Sequence, residues 1–314
     1  MQLNTFMEDI VKKMDAPPNR DAITFFNRYT GKIEQEEIYG EPFLRWTYET
    51  TPGQIALAVA AKRVWFSKWY GWRMDRAASR TKVLPFIETY KLDPNEFQDP
   101  PDSFRTFNEF FYRKLNSAAR PIDSDPDSVV FPADGRHLAI ADISKTDGFW
   151  VKGQKMDLAR LLGSRELADR YATGSMLISR LCPVDYHRYH FPVSGVASES
   201  RLIPGSLSSV NPIALRKRLA ILWENKRVVT EIQTESHGTV LMIEVGAACV
   251  GGIHQTFTPG AVQKGDDKGY FTFGGSMTMV LMEPERVHFS DDLLKHSSQQ
   301  REVYARMGDV AGFG

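Results

Sequence analysis

Apolar and polar positions follow two different rhythms along the chain. Residues 54–70 (QIALAVAAKRVWFSKWY) carry Ala, Leu and aromatic side chains with no internal Pro or Gly, which predicts a helix. Thr51-Pro52-Gly53 is its start signal and Gly71 its stop. Phe107, Phe110, Phe111 and Leu115 recur at helical spacing and predict a second helix over 105–115. Between the two, the Pro- and Asp-rich 92–103 (LDPNEFQDPPDS) reads as a connection. After Arg120 the rhythm changes. Short apolar runs rich in Val and Ile (SVVFPADG, HLAIADI, GSMLISRL, RVVTEIQTESHG, TVLMIEVGAACVGGI, SMTMVLMEP) are punctuated by Gly and Pro. That pattern predicts mainly antiparallel strands, with a helical insertion over 157–170. The expected fold class is therefore α+β. A helical N-terminal region, 1–103, precedes a mainly antiparallel β domain, 104–314.

Composition narrows the function. Lys plus Arg and Asp plus Glu number 39 each, so the net charge is zero and the basic excess of a nucleic-acid binder is missing. Two cysteines, Cys182 and Cys249, imply no disulfide framework. No apolar run reaches the ~18 uncharged residues of a membrane span. The opening MQLNTFMEDIVKKMD has acids where a secretory signal needs an apolar stretch.

Three segments concentrate reactive side chains: Phe131-Pro132-Ala133-Asp134-Gly135, Asp185-Tyr186-His187-Arg188-Tyr189-His190, and Phe273-Gly274-Gly275-Ser276. A serine after two glycines is common in turns. Glycine, however, leaves its carbonyl carbon open to attack and tolerates unusual φ/ψ. A base could let the Ser276 hydroxyl attack the carbonyl just before it. His187 and His190 are candidate bases, since imidazole titrates near neutrality. Asp134 could orient one of them in an Asp-His-Ser relay, or simply close the turn before Gly135. Asp134, His137, His187 and His190 could instead hold a metal, although the HxxH spacing lacks the helical zinc pattern.

The same segments carry a family resemblance. FNEFFYRKLNSAARPID (107–123), VVFPADG (129–135), CPVDYHRYHFPVSG (182–195), IPGSLSSVNP (203–212), FTFGGS (271–276) and EVYARMGDVAG (302–312) stand in family order. On them the chain resembles the pyruvoyl-dependent phosphatidylserine decarboxylase proenzymes over residues 23 to 314. Met277 stands where the family usually has Thr.

The resemblance implies a zymogen that cuts itself between Gly275 and Ser276. His190 would be the general base and Asp134 its support. Ser276 would become a covalent pyruvoyl group, the enzyme's one cofactor, and no metal would be needed. Its carbonyl would form a Schiff base with the substrate amine, and His187 would protonate the carbon after carbon dioxide departs. The large chain (1–275) and the small chain (276–314) would stay together as a heterodimer; homo-oligomerisation is common in the family. The substrate implied is phosphatidylserine, converted to phosphatidylethanolamine. A pyruvoyl-dependent decarboxylase of a free amino acid, aromatic ones included, would share these catalytic residues.

A lipid substrate requires contact with a bilayer. Between Lys62 and Lys82 seven basic residues face one acid, Asp75, and Trp65, Trp69 and Trp72 repeat at helical spacing. A basic helix with an aromatic stripe suits an anionic membrane surface, although such a stripe can equally pack on the β domain. The resulting expectation is a peripheral enzyme on the cytoplasmic face of the cell membrane.

Overall fold

The strand Ser276–Met282 (SMTMVLM) is buried at every position. Successive strand side chains point to opposite faces. Met277, Met279 and Leu281 accordingly join one apolar cluster, and Val280 and Met282 another. A strand buried on both faces belongs inside a sheet. This one lies between Thr239–Gly246 and Ser175–Leu181, antiparallel to both. The computed structural model that shows this describes residues 23–36, 45–46, 49–51, 53, 71–145, 156–247, 252–274 and 276–314. The helix expected over 54–70 lies outside those residues.

Among the described residues the large sheet has eleven strands. From one edge it runs Gly260–Val262, Gly195–Ala197, Arg227–Gln233, Thr239–Gly246, Ser276–Met282, Ser175–Leu181, Gly135–Ile140, Glu302–Ala305, Thr24–Asn27 and Lys32–Gln35. Arg201–Ile203 pairs separately with Arg227–Gln233. Thr24–Asn27 runs parallel to Glu302–Ala305. This makes the hairpin 24–35 part of the large sheet, although the sequence pattern placed it in a helical region. Arg28 locks it down through paired contacts of 2.6 and 2.7 Å with Asp292.

One face of the sheet is covered by the short helices Leu158–Leu162, Pro212–Leu215 and Ile221–Glu224, which supply Leu161, Leu162, Ile213, Leu215 and Leu222. The insertion expected over 157–170 is two helices. Asp157 caps the first, and Ser164 caps the second, Arg165–Arg170. The opposite face carries Tyr189 and Phe271 from a three-stranded sheet of Ile253–Gln255, Asp267–Phe271 and Arg188–His190.

A third cluster is mainly aromatic, with seven phenylalanines beside Met74, Val83 and Ile87. The helix Phe107–Phe111 packs Phe107 and Phe110 against Phe86 of the helix Val83–Tyr90. Thr106 caps it by accepting from Glu109 N, and Glu109 accepts in turn from Arg105 N. It ends earlier than expected because Leu115 turns away to bridge Phe97. Its far end reaches Phe273, with ring centroids 5.2 Å from Phe107 and 4.9 Å from Phe111. The N-terminal aromatic core thus grips the chain one residue before Gly274.

Candidate active site

Ser276 opens the central strand opposite Gly246 on one side and Leu181 on the other. It is fully buried, and its Oγ has no hydrogen-bond partner among the described residues. A buried hydroxyl is usually satisfied, so an orphan of this kind calls for an explanation. Gly274 has φ 140°, a region open to glycine and strained for other residues. Gly275 lies outside the described residues. Just upstream, Asn108 accepts a 2.8 Å hydrogen bond from Phe273 N and donates one of 2.6 Å to Asp75. Sequence reading passed Asn108 over, because it sits inside an aromatic helix and its role depends on a contact 165 residues away.

His187 lies against this segment. Its backbone carbonyl accepts from Phe271 N at 3.0 Å, and its ring sits 3.8 Å from that of Phe111. Nδ1 donates to the Asp185 carbonyl at 3.0 Å, which fixes the tautomer and leaves Nε2 with its lone pair. That Nε2 is buried and makes no hydrogen bond of ordinary geometry among the described residues, although the Gly274 carbonyl lies close enough to act on the ring. Burial pushes the imidazole down to about 3, with the Asp185 and Gly274 carbonyls working the other way.

His190 is engaged at both nitrogens. Nδ1 donates to the Gly265 carbonyl at 2.9 Å, and Nε2 accepts from the Tyr186 hydroxyl at 3.2 Å. Burial lowers its pKa, and the Asp267 charge opposes the shift. Its backbone N bonds Pro132 O at 2.7 Å, which ties the histidine segment to the turn carrying Asp134. The Asp134 carboxylate makes no hydrogen bond to either histidine. Arg120 grips it with contacts of 2.7 to 2.9 Å, and Met307 N donates to it at 2.9 Å. The structure therefore places Asp134, His187, His190 and Ser276 in one buried region without joining them in a hydrogen-bonded chain. Gly135 follows Asp134 because a Cβ there would fall 2.5 Å from Arg180 O. His137 is a core residue. It accepts from Ser179 Oγ at 2.9 Å and faces the Ala305 carbonyl at 3.2 Å. Among the described residues no three His, Cys, Asp or Glu side chains are arranged to hold a metal ion.

A buried ionic network braces the strands beside Ser276. Arg180 bonds Glu36 and Glu302, each with a contact of 2.5 Å, and Arg136 bonds Asp185 at 2.6 Å. Asp185 also accepts from Cys182 N at 2.7 Å. Burial would raise the Glu36 carboxyl, but the charge and hydrogen bonds of Arg180, with Arg136, overcome it and hold it at about 2. Burial pushes the Cys182 thiol up, which disfavours its thiolate.

These shifts set a pH dependence. His137 and His187 are both depressed to about 3 in the fold, against ~6.5 for an exposed imidazole. The unfolded chain binds their protons first as pH falls. Their stabilising contribution is complete above ~6.5 and is lost progressively between ~6.5 and ~3, at up to ~1.4 kcal/mol per pH unit for each ring. Urea midpoints measured from pH 7 to 4.5 should fall. Midpoints that stay flat or rise would show that these rings are not buried neutral.

The profile of the family described as phosphatidylserine decarboxylase matches residues 107–312. The chain is 39% identical over 295 residues to the phosphatidylserine decarboxylase proenzyme of Fusobacterium nucleatum, covering 94% of this chain and 98% of that protein. It is 41% identical over 289 residues to the proenzyme of the same name from Chlamydia trachomatis, covering 92% and 96%. The proenzyme of Clostridium botulinum is 41% identical over 291 residues, covering 92% and 98%.

Proposed function

The chain belongs to the phosphatidylserine decarboxylase family, and on that premise we propose that Ser276 is the residue that turns a proenzyme into an enzyme. The activity is the decarboxylation of phosphatidylserine to phosphatidylethanolamine; decarboxylation of a free amino acid is not favoured. The observation that carries the site assignment is the buried, unpartnered Ser276 hydroxyl beside Gly274 at the head of a central strand.

In the proposed maturation the Ser276 hydroxyl attacks the Gly275 carbonyl. The peptide becomes an ester, and elimination frees the Gly275 carboxylate. The dehydroalanine left behind takes up water and releases ammonia, leaving the pyruvoyl group. The site fits that group: two orphaned polar atoms, Ser276 Oγ and His187 Nε2, lie in the buried region around Gly274. When formed, the group supplies an electrophilic carbonyl that draws electrons from the substrate's amino-bearing carbon. The chain's own residues do the rest. His187, neutral in the fold, presents Nε2 to the reacting amine-bearing carbon. Burial disfavours the imidazolium, so a proton that reaches Nε2 is readily given up to carbon once carbon dioxide has left. Phe111 and Phe273 keep water from the ring and its surroundings.

Two assignments of the maturation base are held against one experiment. In the first, His190 takes the Ser276 proton with Asp134 in support. His190→Ala then blocks cutting, while His187→Ala permits cutting and lowers turnover at least ~100-fold. The free Nε2 of His187 beside Gly274 favours a second reading, in which His187 serves both steps. Electrophoresis of the two variants decides, since a cut His190→Ala chain with an uncut His187→Ala chain reverses the roles.

The fragments 1–275 and 276–314 would remain one particle. The smaller supplies the central strand, the strand Glu302–Ala305 between Gly135–Ile140 and Thr24–Asn27, and the strand Val310–Phe313 paired with Ser128–Val130. We also place the enzyme peripherally on the cytoplasmic face of the cell membrane. Among the described residues no helix is long and apolar enough to cross a membrane. Trp65 and Trp69 lie outside the described residues, while Trp72 is 52% exposed with Arg76 stacked 4.1 Å over its ring. Flotation with phosphatidylserine-containing vesicles should recover the protein, and added salt should weaken recovery. Equal recovery on neutral phosphatidylcholine vesicles would contradict the electrostatic part of this docking.

A further inference from the structure

Five arginines near the site are buried, and four have carboxylate partners. Arg120 holds Asp134 and Glu96, Arg136 holds Asp185, Arg180 holds Glu36 and Glu302, and Arg188 holds Asp267. Arg113 is the exception. It is 6% exposed, makes no ion pair among the described residues, and its Nε has no hydrogen-bond partner. Its one side-chain hydrogen bond is a long one, 3.4 Å from Nη1 to the Phe110 carbonyl. The guanidinium lies between two rings, 4.7 Å from the Phe97 centroid and 4.8 Å from that of Phe110. Ring faces offset only part of the cost of removing a cation from water. Burial lowers its pKa to about 10, with the Asp134 charge opposing the shift. A buried cation in this state lacks an anion.

Its position says which anion. Arg113 follows Phe111 by two residues, and the Phe111 ring is 3.8 Å from His187. The Arg113 charge also acts on the His187 ring. Resting on the activity proposed above, we infer that Arg113 binds the phosphodiester of the phospholipid headgroup and so orients the serine moiety toward Ser276 and His187. A guanidinium fork matches two phosphate oxygens. The substrate carboxylate is the other anion within the headgroup, and it suits Arg113 less well. Its charge disperses as carbon dioxide leaves, so a cation gripping it would favour the ground state over the transition state. The phosphodiester keeps its charge throughout and can be held at every stage.

The test separates the two anions. Processed protein is incubated with glycerophosphoethanolamine, which has the amine and phosphodiester but no carboxylate, or with serine, which has the amine and carboxylate but no phosphate. Cyanoborohydride then fixes bound amine covalently, and the mass of fragment 276–314 reports occupancy. Arg113→Met should raise the half-saturating concentration of glycerophosphoethanolamine at least ~10-fold and leave that of serine within ~2-fold. Arg113→Lys, which keeps the charge and loses the fork, should raise it at least ~3-fold. Only cut, pyruvoyl-bearing molecules are counted, so misfolded protein does not enter. Unchanged glycerophosphoethanolamine capture in both variants, or a loss confined to serine, overturns the inference. If wild-type protein captures neither amine, the reading of Ser276 as an electrophile precursor fails instead.

Discussion

Ser276→Ala should yield a folded, uncut chain of 35.6 kDa that releases no carbon dioxide from phosphatidylserine. The loss should be complete, because the hydroxyl is the proposed source of both the cut and the electrophile. Folding should not suffer. Ser276 Oγ makes no hydrogen bond, so its removal deletes a buried unsatisfied group and leaves the strand pairing with Gly246 and Leu181 intact. The expected change in stability is zero to about 1 kcal/mol in favour of the variant. Cleavage persisting at the same bond would refute the nucleophile assignment. A collapsed melting transition would show that the hydroxyl has a structural partner.

The second large effect concerns a buried ion pair beside that strand. Lys268 Nζ donates to Glu244 at 2.8 Å and to Gln255 at 2.9 Å, while Gln255 donates back to Glu244 at 2.7 Å. Both charged side chains are fully buried, and the rings of Tyr189, Phe191 and Phe257 surround the ammonium. Burial raises the Glu244 carboxyl and lowers the Lys268 amine, and each charge opposes the shift of the other. Glu244 lies opposite Thr278, two residues past Ser276, so the pair pins the small sheet to the strand Thr239–Gly246, the neighbour of the one that carries the site.

Removing one partner strands the other charge away from water. Glu244→Met and Lys268→Met should each cost about 3–5 kcal/mol. The double variant removes both charges and should return to within about 2 kcal/mol of the parent. Urea denaturation of these variants in the uncut Ser276→Ala background measures this on a single chain. Additive losses in the double variant would contradict it.

Much of the architecture was legible in the alternation of apolar residues. SMTMVLM announced a core strand, and 157–170 a helical insertion, because burial on both faces and helical periodicity leave direct marks in sequence. The hairpin 24–35 left none, since its place is fixed by a parallel pairing with residues almost three hundred positions later. The helix 105–115 was overextended because a local pattern says nothing of the Phe97–Leu115 bridge. Ser276, His187 and His190 stood out through motif and chemistry. The bonding around them did not: Tyr186 and Gly265 occupy His190, Arg120 occupies Asp134, and Asn108 steadies Phe273 through contacts that no spacing reveals. Arg113 was hidden for the opposite reason, since a missing partner has no signature in a sequence.

The mass of the small fragment tests the central claim most directly. A peptide spanning 276–314 should be lighter by one ammonia than the same peptide with an amino-terminal serine, and it should react with a carbonyl reagent. A fragment of unmodified mass that yields serine on stepwise degradation, or a folded wild-type chain that never divides, would contradict the account.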